Sequence, residues 1–102
     1  MTSATVRVLL PAHLKTLAGV AGEVSIVVTE VVSAAAIIDV LETTYPALRG
    51  TMRDPVTKRR RPFVRFFVAS EDISHQPMDE PLSTNVVEGA DVFIVVGAMA
   101  GG

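Results

Sequence analysis

At 102 residues with a formal charge of -2, the chain is sized for one domain, 1–102, and lacks the global field that holds nucleic acid. Hydrophobic residues make up 49% and charged residues 20%, enough apolar material for one modest core and too little net charge for intrinsic disorder. The absence of cysteine excludes a disulfide framework, a thiolate nucleophile and a cysteine-ligated zinc site, and it fits a cytoplasmic protein.

The first residues, Met1-Thr2-Ser3-Ala4-Thr5, do not form a basic segment followed by an apolar run, and Arg7 interrupts the first hydrophobic stretch, so no signal peptide is expected. Apolar stretches such as 34–38 fall far short of the roughly 20 residues that a membrane span requires. Neither a membrane nor nucleic acid is an expected partner.

Val6, Val8 and Leu10 alternate with Arg7 and Leu9, the two-residue period of a strand with one face in a core, and Pro11 ends the run. Residues 12–17 suit a short helical turn, with Gly19 and Gly22 around the loop that leads to a second strand over 23–28. So short a return makes the two strands an antiparallel hairpin. Ser33 supplies an oxygen to cap a helix in which Ile37, Ile38, Leu41, Tyr45 and Leu48 recur at three- and four-residue steps. Pro46 ends it near Tyr45, leaving 46–53 as a loop or irregular turn.

A polar loop from Asp54-Pro55 holds Lys58-Arg59-Arg60-Arg61, read as a solvated run, and precedes a third strand over 63–69. Its alternation places Val64, Phe66 and Val68 on one face and Phe63, Arg65 and Phe67 on the other. Ser70-Glu71-Asp72 reads as a turn into a short edge segment around Ile73. Residues 75–85, with Pro77 and Pro81, read as a surface crossing into the last strand, 92–96. Residues 97–102, Gly97-Ala98-Met99-Ala100-Gly101-Gly102, carry small side chains and are expected to form a mobile tail. Strand, strand, helix, strand, short strand, strand is an α+β order that packs one main helix on a mixed sheet, the β-grasp arrangement.

Asp91-Val92-Phe93-Ile94-Val95-Val96 followed by the Gly101-Gly102 ending resembles the C-terminus of the MoaD/ThiS sulfur carriers, ubiquitin-like proteins that include the molybdopterin synthase small subunit. The resemblance extends through 6–12, 41–46 and 87–91. Residues 53–55, 63–68 and 71–73 look most like the CysO-type carriers of cysteine biosynthesis, whereas Val31-Val32 and the dense cluster at 58–61 depart from the family pattern.

The resemblance implies a carrier rather than an enzyme. A ThiF/MoeB-like adenylating enzyme would use ATP to activate Gly102, with no cofactor bound by the carrier, and sulfur would then replace AMP to give a thiocarboxylate. Gly101 and Gly102, without side chains, suit a narrow channel in such an enzyme. The sulfur acceptor would be a cysteine synthase or the molybdopterin synthase large subunit. A ubiquitin-like modifier, joined to lysines through the same activated Gly102, stays open as an alternative. With Phe93 and Val95 facing the helix, Arg7, Leu9, Arg65, Phe67, Ile94 and Val96 would share the opposite face as a mixed apolar and cationic patch. That patch, with Gly97, Ala98, Met99 and Ala100, is the expected partner surface. His13 and His75 lack companion ligands and read as surface or loop residues.

Overall fold

Alternating runs give a sheet one dry face, and in this chain that face is closed by a single three-turn helix. The computed structural model describes residues 3–97. The elements are β1 (Ala4–Leu9), α1 (Ala12–Ala18), β2 (Val24–Val28), α2 (Ala34–Thr44), β3 (Val64–Val68), β4 (Glu71–Asp72), α3 (Thr84–Val87) and β5 (Phe93–Gly97). Among the described residues the strands form one mixed sheet in the order β2-β1-β5-β3-β4. β1 is antiparallel to β2 and parallel to β5, and β3 is antiparallel to both β5 and β4.

The expected alternation holds in every long strand. Val6 and Val8, Ile26 and Val28, Val64 and Phe66, and Phe93 and Val95 point into the core, where they meet Ile37, Ile38 and Leu41 of α2. Phe66 and Phe93, on neighbouring strands, pack with ring centroids 5.3 Å apart. Ser33 is extended, and its hydroxyl oxygen accepts the Ala36 N–H at 3.1 Å, satisfying a first-turn amide that the helix cannot. After Thr44 the chain enters a 3-10 turn, Pro46–Leu48, which buries Leu48 completely.

Four local expectations change. The β3–β4 turn is Ala69-Ser70, both residues in the left-handed region (φ 51 and 69), which matches the twist of a two-residue hairpin. Glu71 and Asp72 are therefore the edge strand, and Ile73 turns inward. The crossing over 75–85 runs into helix α3, which buries Val86 completely; four residues are too few for a hydrophobic period to show in sequence. The run 58–61 is only partly solvated. Arg60 donates to the carbonyls of Ser74 (3.1 Å) and Val64 (2.7 Å), and Arg61 donates to that of Gly50 (2.6 Å), so both tie the loop down.

Gly97, assigned to the tail from sequence, is the last residue of β5 and pairs with Val64 on β3. Gly97 is therefore strand rather than tail, and Ala98, Met99, Ala100, Gly101 and Gly102, the rest of the expected tail, lie outside the described residues.

Candidate functional site

The strand register assembles the outer face. Leu9 on β1 is beside Ile94 on β5, Ile94 is opposite Phe67 on β3, and Phe67 is opposite Asp72 on β4. Next to that row, Val96 pairs with Arg65. Leu9, Phe67 and Ile94 are half-buried and Val96 is exposed, so the middle of the sheet presents an apolar row on the side away from α2.

The patch is less cationic than expected. Arg7 grips both oxygens of Glu23, at 2.8 and 3.1 Å, and also donates to the Gly89 carbonyl at 2.9 Å. This hydrogen bonding lowers the Glu23 pKa and raises that of Arg7. Arg65 donates to Asp72 at 2.8 Å. The Asp72 carboxyl is lowered to about 2, first by the hydroxyl and N–H of Ser74 and then by Arg65. Two ion pairs therefore bracket an apolar strip, because both arginines have acidic neighbours that strand patterning alone does not disclose. Each remains partly exposed and is worth little to stability.

Gly97 ends the central strand at the corner where β1 gives way to Pro11 and α1. His13, read from sequence as an isolated surface residue, packs there. A Cβ built on Gly97 would lie 2.9 Å from His13 Cε1 and 3.6 Å from Pro11 Cγ. The two residues are far apart in sequence, and only the parallel pairing of β1 with β5 brings them together.

Arg53 is a second residue whose setting the sequence did not show. It is buried and bonded to Asp39 and Glu42, two carboxylates one turn apart on α2. Burial works against its charge, yet the two carboxylates outweigh that and its pKa is raised. At the opposite end of the sheet from Gly97, an open cleft of about 500 Å³ lies between Ala4, Val28, Val31, Pro81 and Leu82, with Glu30 the one ionisable lining residue among the described residues. A lone carboxylate there offers no acid–base pair. Among the described residues no helix is long and apolar enough to cross a membrane.

No protein-family model matches the chain, and no curated protein sequence matches it. Solved structures do. Small archaeal modifier protein 1 of Methanosarcina acetivorans is similar over 100% of both chains, with a TM-score of 0.73 and 20% identity. The chain has the ubiquitin-like β-grasp fold. A second β-grasp neighbour, SAMP1 of Haloferax volcanii, is 18% identical with a TM-score of 0.72, covering 96% of this chain and 99% of that one. The BexX/CysO complex of Amycolatopsis orientalis contains a third, 23% identical with a TM-score of 0.70, covering 95% of this chain and 99% of that one. At these identities the three neighbours show the fold alone.

Proposed function

We propose that the chain is a sulfur carrier, with Gly102 as the residue that is activated and loaded. The supporting observation is that the central strand ends at Gly97, next to the strip of Leu9, Phe67, Ile94 and Val96, and that the sequence after it closes on Gly101-Gly102. A partner can hold that strip while it takes up the end.

A carboxylate cannot expel its own oxygen at neutral pH, so activation comes first. In this reading a Gly102 carboxylate oxygen attacks the α-phosphorus of ATP. A C–O–P linkage forms, the bond to the β-phosphate breaks, and pyrophosphate leaves. Hydrosulfide then attacks the acyl carbon, the C–S bond forms as the C–O bond to AMP breaks, and loss of a proton leaves the thiocarboxylate. The ATP site and the chemistry belong to a ThiF/MoeB-like adenylating partner, and the carrier contributes the end and the docking strip. The CysO likeness favours a cysteine synthase as sulfur acceptor, with the molybdopterin synthase large subunit as the alternative.

Intact-mass spectrometry tests this reading. After incubation with adenylating enzyme, ATP and sulfide, the chain should gain the mass difference between a sulfur and an oxygen atom, and a chain lacking residues 101–102 should gain nothing. An unchanged mass for the full chain would remove the proposal. The likeness to two small archaeal modifier proteins favours a second reading, conjugation of Gly102 to lysines. That reading requires adducts that survive denaturation and vanish without Gly102.

A further inference from the structure

We infer that His13 and Gly97 form a positioning pair that sets where the end of β5 lies, and thereby how readily Gly102 reaches an adenylating enzyme. The inference rests on the carrier reading.

β5 loses a neighbour just before its end. Its register with β1 stops at Leu9 and Ile94; Leu10 then turns into the core, and Pro11 has no N–H with which to extend a ladder. Val95, Val96 and Gly97 therefore keep ladder pairing on the β3 side alone, through Phe66, Arg65 and Val64. On the other side, Pro11 and the His13 ring flank Gly97 in place of a strand.

The glycine at 97 is explained by this contact. Its φ lies outside the left-handed region, unlike those of Gly19, Gly50 and Gly89, so backbone conformation does not call for a glycine. Space does. A Cβ would stand 2.9 Å from His13 Cε1 and 3.5 Å from Nε2, whereas carbon atoms in good contact are about 3.5–4.0 Å apart. The ring is set on α1, which is anchored by the buried Leu14. Its Nδ1 is enclosed and takes no hydrogen bond among the described residues, so packing rather than polar contact holds it. The Nδ1 side is enclosed, so a methyl group at 97 presses on the half-buried ring and on the strand end together.

Such a shift changes how often the end finds a channel without altering the acyl chemistry at Gly102. Its signature is a change in KM with kcat preserved. The experiment follows pyrophosphate release from ATP by the adenylating enzyme as the concentration of full-length carrier varies. Gly97→Ala is expected to raise KM about tenfold with kcat within about twofold, the pattern of lost productive binding. Removing the ring in the His13→Ala/Gly97→Ala double variant is expected to bring KM back to within about threefold of wild type, a coupling that independent sites would not show. His13→Ala alone, which leaves the strand end without its wall, is expected to raise KM about threefold.

Thermal melts check that each variant is folded, and the single histidine variant keeps the test open if Gly97→Ala is not. A wild-type KM in Gly97→Ala, a loss confined to kcat, or a defect that the double variant does not relieve would overturn the pairing. Wild-type carrier that releases no pyrophosphate would instead overturn the carrier reading, and the inference with it.

Discussion

Arg53 donates to Glu42 at 3.0 Å beneath α2, with only 3% of the arginine side chain and 9% of the glutamate side chain exposed. Asp39 shares the same guanidinium but is 56% exposed, so the cluster lies at the margin of the core rather than deep within it. Arg53→Met leaves Glu42 enclosed without its cation and is expected to cost about 3 kcal/mol, the low end for a broken buried pair. Adding Glu42→Leu should recover much of that, since an apolar pair needs no counter-charge. Urea denaturation of both variants checks this, and equal stability of Arg53→Met and wild type would contradict it.

The Ser33 cap makes a sharper local prediction. Its hydroxyl serves the Ala36 amide inside a buried turn. Ser33→Ala should therefore destabilise the chain by about 1 kcal/mol, and Ser33→Asp, which restores an acceptor, by less. Chemical denaturation with an unchanged m-value would show that the native fold is kept.

Phe67 and Ile94 face each other on the open side of the sheet, where neither is fully buried. Phe67→Ala is expected to lower stability by about 1 kcal/mol at most, as expected for a half-exposed cross-strand pair. The same change should weaken binding to the adenylating partner about tenfold, or roughly 1.4 kcal/mol. Calorimetric titration separates the two effects. Unaltered affinity would remove this strip from the docking surface.

Asp72 sets a pH dependence. Its folded pKa of about 2 is below the ordinary 3.8, so the folded chain holds its proton less tightly than the unfolded one. The resulting stabilisation is complete above about pH 4 and is lost as pH falls toward about 2. Asp72→Asn should flatten stability against pH across that window, as read by denaturation at stepped pH. An unaltered slope would mean that the bonds from Ser74 and Arg65 do not favour the charged form.

What the sequence disclosed divides along a physical line. Val6, Val8 and Leu10, or Val64, Phe66 and Val68, reveal their strands because one wet face and one dry face impose a two-residue period. Ser33 and Pro46 likewise bracket α2 through local chemistry. Arg53 gave no such signal, since an arginine in a polar loop reads as solvated. The hint was indirect: Asp39 and Glu42, three residues apart, put two carboxylates on one side of the helix. The partners of Arg7 and Arg65 were hidden for a similar reason, because ion pairing depends on rotamers and neighbouring loops rather than on alternation. The contact of His13 with Gly97 was the least legible, as it exists only once β1 and β5 are side by side.

The strand order has a mechanical corollary. β5 is flanked by β3 along its whole length and by β1 at Phe93 and Ile94, so a force along the strand axis at Gly97 loads the β3 ladder, and with it the β1 pairing, in shear. Those bonds must give way together, whereas an edge strand tugged sideways would peel off one bond at a time. A molecular machine could therefore draw in the end of this chain with considerable force and still release the domain intact.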